Sequence, residues 1–322
     1  MTEFLMLLVG LVLLIAGAEL LVRCSVIVAL RLGIPPLVVG LTIVSLGTSA
    51  PEIVASVAAA LRGSTGIAIG NIVGSNLTNS LLVAGAAALL APVLVSRASI
   101  ARDGAVAMVG GGLFWLLCAM QMLSVVTGTG LLLLLAGYIL FSYFSEKRST
   151  VTPGGDAGGE VDDVVAKPGR LPLPLAVLGA IAGAALLAFG GSLLVDAAIS
   201  LAEQLGVSDA VIGLTVIAVG TSLPELATSM IAAARGRSEI AFGNVIGSNI
   251  FNVLGIGGLT AIISQGEVPG RLIAVDFPIM MAAMGLLLLA AITGHRINRL
   301  EGGILVVAFV IYVAFSWITG GR

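Results

Sequence analysis

The sequence predicts an all-α membrane protein with ten transmembrane helices arranged as two inverted-topology five-helix repeats. Composition gives the first observation, because 58% of the 322 residues are hydrophobic and only 10% are charged. Soluble domains usually carry a charged share of roughly 25%. The second is that apolar runs long enough to cross a bilayer as helices recur from end to end. The third is a pair of motifs that occurs twice, always 173 residues apart.

The apolar runs define two predicted halves, a first five-helix repeat over residues 1–145 and a second over residues 173–322. No basic segment precedes the first run, so we interpret it as a retained helix and not as a signal peptide. The predicted spans are residues 3–22, 36–61, 66–91, 104–122, 125–145, 173–200, 209–234, 239–265, 272–292 and 301–319.

Residues 146–172 separate the fifth span from the sixth. This stretch is rich in glycine and in acidic residues and contains few large apolar side chains. Such a composition cannot bury enough surface to fold alone. We therefore predict a disordered cytoplasmic connector that is too short to form a regulatory domain.

The basic residues predict the orientation of the chain. Twelve of the fifteen lysines and arginines fall in the loops after the odd-numbered spans, and only Arg62, Arg271 and Arg322 fall on the other side. Because cytoplasmic loops collect Lys and Arg, both termini are expected to be extracytoplasmic. We predict an integral multi-pass protein of the cell (plasma or inner) membrane. The twelve are Arg23, Arg31, Arg97, Arg102, Lys147, Arg148, Lys167, Arg170, Arg235, Arg237, Arg296 and Arg299.

The first repeated motif is Gly-Thr-Ser-x-Pro-Glu, which ends at Glu52 in one copy and at Glu225 in the other. Each repeat has an odd number of spans, so the second repeat enters the membrane from the opposite side. Equivalent residues are then related by a pseudo-two-fold axis in the membrane plane. We therefore expect Glu52 and Glu225 to meet near the middle of the membrane.

The chemistry of this motif favours a cation site. Proline breaks a helix, and the carbonyl oxygens freed before it carry partial negative charge. Each copy offers a backbone carbonyl, two hydroxyls and a carboxylate: Ser45, Thr48, Ser49 and Glu52 in the first, Ala218, Thr221, Ser222 and Glu225 in the second. The alternative is a capping box, with the serine as N-cap and the glutamate at N3. A carboxylate inside a membrane costs at least about 2.5 kcal/mol, more than a cap returns, so the site is favoured, although both roles can coexist.

The second motif is Gly-Asn-x-x-Gly-Ser-Asn, beginning at Gly70 and at Gly243. It places Asn71, Ser75 and Asn79 on one helix face, and Asn244, Ser248 and Asn252 repeat the pattern. Its paired glycines allow close helix approach. The alternative role for such side chains is to join helices by hydrogen bonds. We favour the site for Ser75, Asn79, Ser248 and Asn252, and both readings stay open for Asn71, Asn76, Asn244 and Asn249.

Together these groups form an all-oxygen site, which suits Ca²⁺ and Na⁺ and serves soft metals poorly. Cys24 and Cys118 are interpreted as inert buried thiols, and His295 as a loop residue. One Ca²⁺, Na⁺ ions or protons could each neutralise the two carboxylates, and this competition is the physical basis of exchange. No P-loop, intramembrane histidine or HExxH motif points to an enzyme, no cofactor is expected, and a net charge of −2 gives no basic patch for nucleic acid.

These residues resemble the calcium/cation antiporter superfamily and, within it, the prokaryotic type of sodium/calcium exchanger, over essentially the whole chain. The resemblance implies Na⁺-driven Ca²⁺ movement by alternating access, with the first span of each repeat sliding against a core of spans 2, 3, 7 and 8. It implies Ca²⁺ and Na⁺ as substrates within a lipid bilayer. An H⁺-coupled Ca²⁺ antiporter of the same fold is the alternative. The sequence leaves the oligomeric state open and is compatible with a monomer.

Carried over by position, the resemblance makes Glu52 and Glu225 the central ligands shared by Ca²⁺ and Na⁺. Potassium-dependent members have Asp where this chain has Asn252, which argues against potassium dependence. Glu19 and Asp196 lie near span ends and receive no role. The remaining implied ligands are Thr48 and Thr221 by carbonyl or hydroxyl, Ser75 and Ser248 by hydroxyl, Ser45 and Ala218 by carbonyl, and Asn79 and Asn252 at the centre of the site.

Overall fold

The computed structural model describes residues 2–31, 47, 49–149, 171–236, 238–264 and 266–320, and nearly all of them are helical. Two two-residue strands, β1 (Val93–Leu94) and β2 (Arg296–Ile297), form an antiparallel ladder. The helices are α1 (Thr2–Arg31), α2 (Ala50–Leu61), α3 (Thr65–Leu90), α4 (Ile100–Ala119), α5 (Val125–Ser149), α6 (Leu173–Leu205), α7 (Asp209–Thr221), α8 (Leu223–Ala234), α9 (Ser238–Ile250, continued by Phe251–Ile256 and Gly257–Ile263), α10 (Leu272–His295) and α11 (Arg299–Thr319).

The helical membrane class is confirmed. Within the described residues, eight helices are long and apolar enough to cross a membrane, and the bent pair α7 and α8 makes a ninth. The α2 helix is apolar but has only 12 residues. Most of the predicted span before it, residues 36–46, lies outside the described residues. The count of ten spans therefore stays a prediction.

Three predicted boundaries are wrong because their helices continue. The α1 helix runs to Arg31 and not to residue 22, so Arg23 and Arg31 lie in a helix and not in a loop. Arg23 pairs with Glu19 one turn earlier on an exposed face, so its charge does not end the helix. Likewise α6 runs to Leu205, and α5 runs to Ser149, four residues into the predicted connector. Residues 150–170 of that connector lie outside the described residues.

The α3 and α9 helices occupy the centre of the molecule. Within their most apolar windows 83% and 72% of the residues are buried, against 17–39% for the other spans. The α2 helix packs on α3, and α8 packs on α9. Each repeat therefore contributes its second and third helices to a common core.

Residues 173 apart make matching contacts across this core. A Cβ atom on Gly10 would lie 2.9 Å from the carbonyl oxygen of Gly190, and one on Gly17 would lie 2.9 Å from that of Gly183. These contacts run α1 antiparallel to α6 at backbone distance. Because Gly10 corresponds to Gly183 and Gly17 to Gly190, the two helices exchange equivalent contacts, as inverted repeats require.

The outer helices interlock the halves in the same way. The α5 helix packs on the last part of α9, where Gly128 meets the Gly258 carbonyl, and α11 packs on the last part of α3, where Gly85 meets the Gly302 carbonyl. The fifth helix of each repeat thus rests on the third helix of the other. Neither half has a core of its own.

Close approach through the second motif is confirmed for its first copy. A Cβ on Gly70 would lie 2.8 Å from the Ala210 carbonyl oxygen, and one on Gly74 would lie 2.4 Å from that of Leu214. Both glycines therefore let α3 touch the α7 backbone. Residues 37 and 41, which correspond to Ala210 and Leu214, lie outside the described residues. The same role for Gly243 and Gly247 stays a prediction.

Candidate cation site

Both copies of the first motif place a serine at a helix break. In the second repeat, Ser222 lies between α7 and α8, whose axes differ by 45°. Pro224 falls in the first turn of α8, where its missing N–H removes no helical hydrogen bond. Ser49 precedes α2 and Pro51 with almost the same backbone angles, φ −87° and ψ 7°, against −83° and 7° for Ser222.

The two serines pair with the glutamates of the opposite repeats. Ser49 Oγ donates to Glu225 Oε1 at 3.1 Å, and Ser222 Oγ donates to Glu52 Oε1 at 3.0 Å. Neither serine side chain caps its own helix. The capping-box alternative is therefore wrong for both copies, because each hydroxyl crosses the molecule to the other half.

Glu52 and Glu225 do meet in the interior. Their exposed fractions are 1% and 0%, and they lie close enough for the charge of one to act on the other. Two carboxylates at this depth repel each other and have lost their water. Such an arrangement favours the uptake of a positive charge between them.

Asn71 and Asn244 occupy equivalent structural positions. The Asn71 amide donates to the Glu52 carbonyl oxygen at 3.3 Å and to Ser56 Oγ at 2.9 Å. The Asn244 amide donates to the Glu225 carbonyl oxygen at 3.3 Å and to Ser229 Oγ, also at 2.9 Å. These bonds fix each glutamate-bearing helix to the third helix of its repeat, as the helix-joining interpretation predicts.

Other polar groups near these acids are buried without a hydrogen-bond partner in the described part of the chain. They are Glu52 Oε2, Ser75 Oγ and both amide atoms of Asn79 and Asn252. A buried polar atom left unpaired costs about 1–3 kcal/mol. Several such atoms beside two carboxylates indicate that these side chains are arranged for a ligand.

The two amides share a local backbone feature. Asn79 lies in a π-helical turn, Thr78–Val83, and Asn252 in the corresponding turn, Phe251–Ile256. A π-turn inserts a residue into the helical ladder and is frequent at functional sites. The two turns are again 173 residues apart, so each repeat distorts its third helix at the same amide.

The remaining predicted ligands differ in how they are placed. Thr221 Oγ1 lies 3.4 Å from Asn71 Oδ1 and also from the Ala218 carbonyl oxygen. That carbonyl also accepts the Ser222 N–H at 3.1 Å, so it keeps its helical hydrogen bond and is not freed by the break, as the sequence had suggested. Ser248 is 7% exposed. Thr48 and Ser45 lie outside the described residues.

Sequence reasoning missed the serines that support these asparagines. Ser56 and Ser229 are both fully buried and are 173 residues apart, so the repeat offset could have identified them. It also missed Ser80, which accepts the Asn249 amide at 2.9 Å. The position equivalent to Ser80 is Val253, so the repeat carries no signal for it.

The donor set sets limits on the ligand. In the part of the chain that the structure describes, no three His, Cys, Asp or Glu side chains lie close enough together to hold a metal ion. A cation here depends on two carboxylates together with neutral hydroxyl, amide and carbonyl oxygens. Hard cations accept such oxygens, whereas soft transition metals prefer nitrogen and sulfur.

Comparison with known proteins gives the family. The profile of the family "Sodium/calcium exchanger protein" matches residues 2–144 and 175–318. The chain is 42% identical to CaxA of Alkalimonas amylolytica, with 95% of each chain covered. It is 34% identical to the sodium/calcium exchanger MaX1 of Methanosarcina acetivorans, with 97% of each covered.

The solved structures agree. A structure of the sodium-calcium exchanger NCX_Mj soaked with Na⁺ and Sr²⁺ matches with a TM-score of 0.59 and 30% identity, covering 97% of both chains. The same fold is matched by NCX_Mj soaked with Na⁺ and Ca²⁺, at a TM-score of 0.59 and 98% coverage of each chain. The chain therefore belongs to the sodium/calcium exchanger family, as the two repeated motifs indicated.

Proposed function

We propose that this protein exchanges Na⁺ for Ca²⁺ across the cell membrane by alternating access to a single site between Glu52 and Glu225. The observation that carries the proposal is the crossed pairing of Ser49 with Glu225 and of Ser222 with Glu52. It joins the two repeats at two buried acids. Any change in the relative position of the repeats therefore changes the cation site.

The charge balance supports exchange. Two glutamates carry −2, which one Ca²⁺ neutralises, and Na⁺ ions neutralise the same pair. Both acids are almost completely buried, so leaving them bare is costly, and the site favours an occupied state during each crossing. Exchange then follows, because one cation is released when another replaces it.

The neutral oxygens have distinct proposed roles. Asn79 and Asn252 line the centre, where their unpaired amide oxygens would complete the Ca²⁺ shell. Ser75 and Ser248 would provide hydroxyls to flanking Na⁺ ions, and Thr221 with the Ala218 carbonyl would bind at the helix break. By the same offset, Thr48 and Ser45 take the roles of Thr221 and Ala218 in the first repeat.

The packing of α1 and α6 supports an alternating mechanism. These long helices lie against each other through glycines and are mostly exposed at the edge of the core. A pair with this placement can slide as a unit over α2 and α7 and uncover the site from one face and then from the other. The basic residues place both termini outside, so net Ca²⁺ extrusion would follow the inward Na⁺ gradient.

Flux in proteoliposomes tests the proposal. Vesicles containing the purified protein are loaded with Na⁺, K⁺ or buffer at a different pH, and uptake of radioactive Ca²⁺ is followed for each gradient separately. We expect uptake only when Na⁺ is inside and none with Glu52→Gln or Glu225→Gln. Uptake driven by a pH gradient and indifferent to Na⁺ would instead assign the H⁺-coupled alternative.

A further inference from the structure

A second polar site lies at the ends of α4 and α10, away from the glutamates. A largely apolar cavity of about 420 Å³ opens there. Its walls include Ile100, Ala101 and Met108 on α4, with Leu288 and Ile292 on α10. Arg97 and His295 also line it. An apolar groove with a polar end fits an amphipathic ligand.

The polar end is built rigidly. His295 has a left-handed backbone, with φ +53°, and follows Gly294 at φ +80°. Its carbonyl oxygen accepts the Val95 N–H at 2.9 Å, directly beside the ladder between β1 and β2. A non-glycine residue with positive φ persists only where its surroundings hold it. The ladder therefore fixes the imidazole beside α4.

The hydrogen bond between the two polar residues sets the tautomer of His295. Arg97 Nε lies 2.8 Å from His295 Nε2. A guanidinium can only donate, so Nε2 must accept, and a neutral imidazole then carries its proton on Nδ1. Nδ1 is buried and has no hydrogen-bond partner among the described residues. The groove thus ends in an unused N–H donor beside a positive charge, and no carboxylate lines it in the described structure.

We infer that this groove binds one anionic phospholipid, with its phosphate on Arg97 and His295 Nδ1 and an acyl chain between α4 and α10. Arg and imidazole N–H groups form charge-assisted hydrogen bonds to phosphate oxygens. From Arg97 to Met108 the helix rises about 16 Å, which is a suitable depth for an acyl chain inserted from the interface. The exposed Arg296 on β2 adds a second positive charge close to the His295 backbone.

Lipid retention measured by native mass spectrometry tests this site. The purified full-length protein is mixed with equal amounts of phosphatidylglycerol and phosphatidylcholine bearing the same acyl chains. The variants are Arg97→Gln, which removes the charge, and Ala105→Trp, which fills the groove from an exposed position of its wall. Val109→Trp is the control for the tryptophan, since Val109 is 71% exposed on α4 and does not line the groove. Arg23→Gln on α1 is the control for the charge.

The wild-type protein is expected to retain phosphatidylglycerol in preference to phosphatidylcholine. Each test variant is expected to lose roughly ten-fold in phosphatidylglycerol binding, the factor that one charge-assisted hydrogen bond provides. The controls should match wild type, and melting curves confirm that all variants are folded. Equal retention of both lipids overturns the proposal. So does a loss in Arg97→Gln without one in Ala105→Trp, which would indicate an anion site with no bound acyl chain.

Discussion

At the level of single residues, the crossed serine–glutamate pairs distinguish this site from two separate helix caps. Each hydroxyl donates to a carboxylate of the other repeat at 3.0–3.1 Å. A hydrogen bond to a charged group contributes about 1.5–3 kcal/mol. The serines therefore hold the carboxylates in position for the cation, and they do so across the interface between the repeats.

Removing either hydroxyl should weaken cation binding. We expect Ser49→Ala and Ser222→Ala each to raise the half-saturating Ca²⁺ concentration for exchange by roughly ten-fold, which corresponds to the loss of one such bond. The measurement is Ca²⁺ uptake against Ca²⁺ concentration. Ser316→Ala is a matched control, because Ser316 is also fully buried but lies in α11. Unchanged concentration dependence in both site variants would remove the serines from the site.

The buried amides give opposite predictions for ligation and for structure. Asn79→Leu and Asn252→Leu remove unpaired polar atoms without changing volume much. We expect the free energy of unfolding to rise by about 1–3 kcal/mol in medium free of Na⁺ and Ca²⁺, since a buried unsatisfied group disappears. Exchange should be lost.

Melting temperatures with and without Ca²⁺ check this. A bound ligand stabilises the native state, so Ca²⁺ should raise the melting temperature of the wild type and not that of either variant. Asn71→Leu is the contrasting case, because Asn71 makes hydrogen bonds to the Glu52 carbonyl and Ser56 and its loss should destabilise. Destabilisation of all three variants alike would show that Asn79 and Asn252 serve the structure only.

At the level of helices, close approach through glycine brings the polar faces together. A Cβ on Gly74 would lie 2.4 Å from a backbone oxygen of α7, so the α3 and α7 backbones cannot stay in place beside a larger residue. The same residue type elsewhere has no such role. No described atom lies within 4 Å of a Cβ built on Gly137.

Gly74→Ala should therefore destabilise the protein by about 1–3 kcal/mol, the usual cost of overpacking. Gly137→Ala should be neutral or slightly stabilising, because alanine is the better helix former. Thermal unfolding of the two variants in detergent makes the comparison. Equal melting temperatures would contradict the tight α3–α7 contact.

An ion pair links the outer helix α6 to the core. Arg62, directly after α2, binds Asp196 at 2.5 Å and also contacts Ser192. The pair is partly exposed, so it is worth only about 0.2–1 kcal/mol. That is still enough to bias two conformations of similar free energy.

If α1 and α6 slide over the core, Asp196→Asn should raise the exchange rate at saturating ions by up to about five-fold. Glu19→Gln is the control, because the Glu19–Arg23 pair lies within α1 and bridges nothing. Initial rates of Ca²⁺ uptake give the comparison. An equal change in both variants would show that the effect does not come from the tie between α6 and the core.

Across the whole molecule, the repeat made both the fold and the acids predictable. A constant offset of 173 predicted the meeting of Glu52 and Glu225. It could not predict the crossed serines, because a serine before Pro-Glu fits a local cap equally well. The π-turns at Asn79 and Asn252 have no composition of their own and interrupt apolar runs that read as regular helix.

A second repeated contact escaped the sequence for a different reason. Tyr138 donates to Asp103 between α4 and α5, and Tyr312 donates to Asp276 between α10 and α11, both at 3.0 Å. The aspartates are 173 residues apart but the tyrosines are 174 apart. A strict offset therefore misses the pair. These bonds hold together the outer two helices of each repeat.

The central claim is that Glu52 and Glu225 act as one site shared by both halves. Its most direct test is Ca²⁺ uptake into Na⁺-loaded proteoliposomes by Glu52→Gln, Glu225→Gln and the double variant. Removing one partner of a buried charged group costs about 3–5 kcal/mol, so each single variant should lose at least about a hundred-fold, and the double variant should lose no more than either. Full uptake by one single variant, or losses that multiply in the double variant, would contradict a shared site.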